Sequence, residues 1–405
     1  MSMVNEHMKC DLLILGAGVV GISIGIAYLE ANPGKKVIIA EKEGSIGKHA
    51  SGRNSGVLHA GFYYSPETLK AKFCREGNKQ LRILAKKYSI PVREVGKVVV
   101  ARNSDEDARL DPLFERGVNN GVDLELVDAA LLPKYEPLAR TTNRFLWSPT
   151  TAVSDPGMII SAMRTEFENA GGRIDLGTSI ELAVTSGIVH DHKNKYDADF
   201  IINAAGAQAD RISRQIEVGL EYAMLPFMGL YRVTTQNSLP VQRLVYPVPH
   251  PLNPFLGVHF TLTVDGQVKI GPTAIPVSGR EQYSFREGWS VSDSIQAMKG
   301  SVALMKGESH NFGAILKSEW PKILLKQLVQ ESTELVESAS QVNDWKKKPP
   351  GIRAQLVHLP SGKLEQDFVT KQYLNSAHVL NAVSPGWTSA LPFGRWIVEN
   401  CLGNS

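Results

Sequence analysis

The segment Gly16-Ala17-Gly18-Val19-Val20-Gly21 constrains this chain more than any other. It follows the apolar run Leu12-Leu13-Ile14-Leu15 and leads into another, Ile22 to Leu29. A strand that turns on glycines directly into a helix aims backbone N–H groups at whatever sits before the helix, and that geometry suits a pyrophosphate. Gly16 makes the tight turn, Gly18 leaves room for the phosphate, and Gly21 lets helix and strand pack closely. The next apolar run, Val37-Ile38-Ile39-Ala40, ends on Glu41, 20 positions after Gly21. An acidic residue at that distance is placed to accept the ribose hydroxyls of a dinucleotide. The stretch Leu12 to Leu29 is uncharged and has the length of a membrane span. Its central glycines, Ser23, Gly25 and the preceding Asp11 argue for a buried strand and helix instead. No secretory signal is expected either, since no small-residue cleavage site follows the run.

A chain of 405 residues has room for two domains and a large core. With 43% hydrophobic and 21% charged residues it reads as globular, and a net charge of +3 gives no case for nucleic acid. Lys346-Lys347-Lys348 before Pro349-Pro350 reads as a solvated loop, with peripheral membrane association left open. Three cysteines, Cys10, Cys74 and Cys401, have neither metal spacing nor a disulfide pattern. No metal site is expected, and the setting reads as reducing: the cytoplasm, with the inner face of a membrane as the alternative.

Beyond Glu41, residues 43–64 read as an irregular loop and Pro66–Ala85 as a helix. Val95–Ala101 reads as a β-branched strand. Asp105–Leu132 reads as mostly helical, broken near Asn119-Asn120-Gly121. Thr150–Asp155 is a short strand. Asp155-Pro156 starts a helix that runs to Asn169, with Asp as N-cap and Pro at the first position. Asp199–Ala204, ending at Gly206, forms a second strand-to-glycine-turn unit. Leu225–Gly271 is strand-rich, Ser290–Ser338 mainly helical, and Thr388–Cys401 a final amphipathic run. The returns to dinucleotide-type sequence imply an α/β fold with a discontinuous domain over 1–85, 151–215 and 350–405. A second, α+β domain built on an antiparallel sheet is expected over 86–150 and 216–349.

Several segments together resemble the FAD-dependent D-amino-acid oxidase superfamily, and within it the L-2-hydroxyglutarate dehydrogenase/oxidase group. They are His49–Tyr64, Leu69–Cys74, Asn203–Gly206, Leu244–Pro249, Phe255–Thr261, Gly351–Gln355 and Asn381–Thr388. The resemblance implies a Rossmann-like FAD domain and a non-covalent flavin. Cofactor contacts are expected at Gly16, Gly18, Gly21, Glu41, Lys42, Ser51, Asn54, Ser55, Gly206, Gly386, Trp387 and Thr388. His49 either contacts the cofactor or caps its loop. The implied reaction is oxidation of a small L-2-hydroxy acid. It passes electrons to oxygen, a quinone or an electron-transfer flavoprotein. Amine oxidation of the glycine/sarcosine type and a non-catalytic flavoprotein module are the alternatives.

Such an oxidation needs a base near the hydroxyl and a cation for the carboxylate. His59 is the expected base or proton relay, with His259 orienting the substrate; the two roles are exchangeable. Arg353, after Gly351, is the expected carboxylate clamp. Tyr63 and Tyr246 are hydroxyl donors or packing aromatics. Two positions depart from the group: Met228 and Leu262 stand where it has arginine. If those arginines bind a second carboxylate, this chain recognises that end poorly, unless Arg232 compensates.

Overall fold

A computed structural model describes residues 6–179, 188–190, 194–250, 255–307 and 312–402. The two expected domains and the helical run Ser290–Ser338 extend over some residues outside that set. Glu6–Leu15 is the centre of a seven-stranded sheet. Val37–Glu41 and then Arg173–Leu176 lie parallel on one side of it, and Asn194–Asn203 and Ser376–Asn381 parallel on the other. Val369–Tyr373 and Ile188–His190 add antiparallel pairings. The chain thus leaves the central strand in opposite directions. The crevice between Gly16 and Ala204 is the point where strand order reverses, which is where open α/β sheets bind ligands.

The central strand is apolar on both faces because both are covered. Leu12 and Ile14 join the cluster under helices Val19–Ala31, Pro156–Asn169 and Ala390–Ile397, while Leu13 and Leu15 join Ile38, Tyr196 and Ile201 on the reverse face. Helix contact is close: a Cβ on Gly25 would lie 2.6 Å from the Phe167 ring, and one on Gly394 2.6 Å from the Ser23 backbone. Asp155 caps its helix as expected, its Oδ1 accepting from Met158 N at 2.8 Å. The helix expected from Pro66 starts at Leu69, capped by Thr68.

A second, ten-stranded sheet is antiparallel except where Leu244–Pro247 runs parallel to Lys97–Val100. Its long members are Tyr222–Thr235 and Lys346–His358. Two expectations change here, and one further strand appears. Glu125–Asp128, read as helix, is a strand beside Arg144–Ser148. Lys346-Lys347-Lys348, read as a loop, pairs with Val233, Arg232 and Tyr231, the prolines that follow lying at a register shift. Arg144–Ser148 is that further strand, outside every element expected from the sequence. Among the described residues no helix is long and apolar enough to cross a membrane.

Candidate active site

A cavity of about 660 Å³ opens between the ends of the parallel strands and the second sheet. Its lining brings together Gly16, Gly18, Glu41, Lys42, Ser51, Asn54, Ser55, Gly206, Gly386, Trp387 and Thr388 with His49, His59, Tyr246, His259 and Arg353. Gly21 and Tyr63 do not line it.

One end is a backbone cradle. Gly16 has φ +103°, and a Cβ there would lie 2.8 Å from Ala204 O. Gly18 opens into the cavity, its nearest neighbour Ser51 Oγ at 3.0 Å, whereas a Cβ on Gly21 would meet Gly16 O at 2.0 Å. The three glycines therefore do three jobs: turn, approach and packing. Ser51 Oγ accepts from Val19 N at 3.0 Å. The buried Glu41 accepts from Ala17 N at 2.8 Å and Glu43 N at 2.9 Å. The start of helix Val19–Ala31 leaves its first N–H groups without intrahelical partners, a feature that favours anions. Asn54 holds a turn, accepting from Gly56 N at 2.9 Å. Thr388 ties the C-terminal turn to the chamber: its hydroxyl donates to Val57 O and accepts from His59 N. Trp387 Nε1 is buried without a partner among the described residues. His49 bridges Tyr283 and Glu43. Lys42 pairs with Glu43 and Glu281, so these acids form an ion-pair network.

The other end is a catalytic chamber. His59 follows the strand Val57–Leu58, and its carbonyl accepts from Asn78 Nδ2 at 3.0 Å. Its Nδ1 is buried without a partner among the described residues. Burial, then the nearby Lys97 and His259, hold its pKa well below the usual value. His259 opens the strand His259–Leu262 and stacks on Tyr246, centroids 3.8 Å apart and planes at 21°. Burial pushes its pKa down to about 3, so the ring is neutral. Nδ1–H therefore donates to Gly257 O at 2.8 Å, and Nε2 is left as an acceptor.

Arg353 sits opposite Phe227, its guanidinium 4.9 Å above the Phe255 ring, with Nε donating to Gln355 Oε1 at 3.0 Å. Among the described residues no carboxylate pairs with it. Burial lowers its pKa to about 10, so it stays charged near neutrality.

The strongest residue missed by sequence reasoning is Lys97. It is 0% exposed, and its Nζ has no hydrogen-bond partner among the described residues. The Nζ lies 4.1 Å from the Tyr246 ring centroid, 5.0 Å from Tyr63 and 5.4 Å from Phe62. Burial drops its pKa to about 7. The available signal was a lysine inside the apolar run Val95–Ala101. Tyr63, behind the chamber, serves as packing for this cation.

Met228 and Leu262 need correction as substrate-facing positions. Strand alternation turns His259 and Thr261 one way and Phe260 and Leu262 the other. Leu262 is 0% exposed in the core with Phe260 and Val268, and Met228 packs on Val277 and Ile352; neither lines the cavity. Arg232 does not line it either, and donates to Tyr231 O.

The family model described as FAD dependent oxidoreductase matches residues 11–400. The chain belongs to that family. Its cofactor is FAD, and the cradle fits it: an open Gly18, a helix start for the pyrophosphate, and Glu41 at the end of the second strand. Curated relatives include L-2-hydroxyglutarate dehydrogenase of Escherichia coli K12, 33% identical, the match covering 96% of this chain and 92% of that protein. The mitochondrial L-2-hydroxyglutarate dehydrogenase of Caenorhabditis elegans is also 33% identical, over 97% and 93%. Among solved structures, L-alpha-glycerophosphate oxidase of Mycoplasma pneumoniae aligns with a TM-score of 0.73 at 21% identity, over 97% and 94% of the two chains. Glycine oxidase of Geobacillus kaustophilus aligns with 0.73 at 16%, over 98% and 95%. These likenesses establish the FAD-oxidase fold.

Proposed function

We propose that this chain oxidises a small L-2-hydroxy acid, with L-2-hydroxyglutarate going to 2-oxoglutarate as the leading reaction. Arg353 carries this reading: a buried guanidinium without a carboxylate partner among the described residues, sharing a cavity with two neutral imidazoles. The choice of L-2-hydroxyglutarate rests on the full-length likeness to dehydrogenases of that name.

In this reading residues 1–85, 151–215 and 350–405 hold the cofactor without a covalent bond, and 86–150 and 216–349 form the substrate side. Bound FAD supplies the hydride acceptor. Arg353 pairs with the C1 carboxylate and fixes the substrate's orientation, and Gln355 holds the guanidinium plane. A neutral imidazole takes the hydroxyl proton as the Cα hydride leaves. His59 takes this role, since no group among the described residues claims its Nδ1. His259, locked in one tautomer by Gly257 and held flat by Tyr246, orients the hydroxyl through Nε2. The apolar lining from Phe227 and Phe255 keeps water from the reacting carbon.

The test is a parallel assay of the holoenzyme with a dye acceptor. L-2-hydroxyglutarate, monocarboxylic L-2-hydroxy acids, glycine and sarcosine are compared. Turnover confined to hydroxy acids supports the proposal. Turnover confined to the amines would replace it with amine oxidation.

A further inference from the structure

Residues 278–288 leave the second sheet after the strand Ile275–Pro276 and lead into helix Val291–Lys306. They form a closed loop. A Cβ on Gly279 would lie 2.0 Å from Gly288 O, and one on Gly288, at φ +82°, would lie 2.4 Å from Glu281 O. Gln282 is buried and pins the neck: its Oε1 accepts from Gly279 N at 3.0 Å and from Ser278 N at 3.2 Å. A loop whose ends meet and whose own side chains fill it is a compact element of the Ω type.

This loop reaches the cofactor-binding sheet and grips it on both sides of Glu6–Leu15. Beyond Asn194–Asn203, Arg280 donates to Asp210 Oδ2 at 3.0 Å and to Ala207 O at 2.5 Å, and Gln208 Nε2 donates to Glu281 Oε1 at 2.8 Å. Beyond Val37–Glu41, Lys42 Nζ lies 2.8 Å from Glu281 Oε1 and His49 Nδ1 lies 2.6 Å from Tyr283 OH. The Arg53 guanidinium sits 4.1 Å from the Tyr283 ring centroid. The central strand runs between those two strands, so the loop spans the crevice into which the Gly16 turn opens. Arg280, Glu281 and Tyr283 line the same cavity as Gly16, Gly18 and Glu41.

The two grips are unequal. Arg280 and Asp210 are 3 and 0% exposed, and Asp293 accepts from the guanidinium Nε at 2.8 Å. Separating a buried, hydrogen-bonded ion pair leaves a charge without a partner and away from water. The side chains of Lys42, Glu281 and His49 are 34, 30 and 30% exposed, so water replaces much of what they lose on parting. Arg280 is therefore the fixed end, and Glu281 with Tyr283 is the end that lets go.

We propose that residues 278–288 are a strap across the FAD site. Closed, it retains the cofactor in the crevice; it opens at Glu281 and Tyr283 to let FAD in or out. The second domain thereby takes part in holding the cofactor. The proposal rests on the FAD cofactor and holds for any substrate.

The test follows flavin fluorescence and needs no turnover. Holoenzyme is diluted and the release of FAD is timed; flavin-stripped protein is mixed with FAD and its uptake is timed. Glu281→Gln with Tyr283→Ala should speed release about ten-fold or more. Uptake should speed up as well, because a strap that opens admits and releases alike. Tyr283→Phe keeps the ring and loses the hydroxyl. It should show the same pattern at about two- to five-fold, and it carries the test if the double variant does not fold. Unchanged release overturns the proposal. So does faster release with unchanged uptake, which would make Glu281 and Tyr283 plain cofactor contacts.

Discussion

The cofactor cradle and the catalytic chamber are two ends of one cavity, yet they are built in opposite ways. In the cradle, neighbouring groups satisfy each other: Ala17 N–H and Glu43 N–H with Glu41, Val19 N–H with Ser51. Much of it comes from residues 16–55. The chamber is assembled from strands far apart in the chain, and among the described residues His59 Nδ1 and Lys97 Nζ have no hydrogen-bond partner. Buried polar groups usually find partners, because leaving them bare is costly. The cradle's turn and ribose-side contacts are in place before its ligand arrives, with Trp387 Nε1 left open, whereas the chamber keeps open valences for groups the substrate brings.

That contrast can be broken by mutation. Gly18→Val places branched carbons where the phosphate must approach and should abolish flavin loading while the fold persists. Normal flavin content in the purified variant, read from its absorbance against a circular-dichroism control, would separate the cradle from the cofactor. Chamber substitutions should do the reverse and keep flavin while slowing its reduction. His59→Ala should slow anaerobic reduction by about 10²–10⁴-fold. A small effect there with a large one for His259→Ala would exchange their roles. Arg353→Met should cost about 2–5 kcal/mol of transition-state binding, seen as lost kcat/KM for every carboxylate substrate.

The smallest effect sharpens the electrostatics. Tyr63, Tyr246, Phe62, Cys74, His59 and His259 surround Lys97. Burial is the main reason both imidazoles stay neutral, and below pH about 7 the protonated Lys97 amine adds to it. Wild-type reduction should therefore not fall through histidine protonation between about pH 5 and 8. In Lys97→Met the histidines protonate more readily, and the acid-side fall should move to higher pH. Superimposable pH profiles would make Lys97 a packing residue.

The same contrast explains what the sequence disclosed. The glycine turn, Glu41 and the Asp155 cap are local, so a few adjacent residues carry their whole geometry. His59, His259 and Arg353 were legible as residue types through a family resemblance, but their convergence depends on sheet order. Lys97 was hidden because an apolar β-branched run says nothing about which neighbour covers it. Met228 and Leu262 misled for a related reason: strand alternation fixes that neighbours face opposite ways, not which way faces the cavity. Glu125–Asp128 is a strand only because Arg144–Ser148 lies beside it. At Leu262 an arginine would enter a fully apolar core, so Leu262→Arg should destabilise the protein by roughly 3 kcal/mol or more rather than create a carboxylate site. Thermal or urea unfolding decides this, and an unchanged midpoint with improved use of dicarboxylates would restore the position to the substrate pocket.

In the proposed reaction one cavity joins FAD to an L-2-hydroxy acid. Its most direct test is an anaerobic single turnover of the holoenzyme with each enantiomer of 2-hydroxyglutarate, following flavin bleaching and product together. Bleaching by the L enantiomer alone is expected, with one 2-oxoglutarate formed per flavin reduced. Flavin that stays oxidised with L-2-hydroxyglutarate but bleaches with glycine or sarcosine would contradict it.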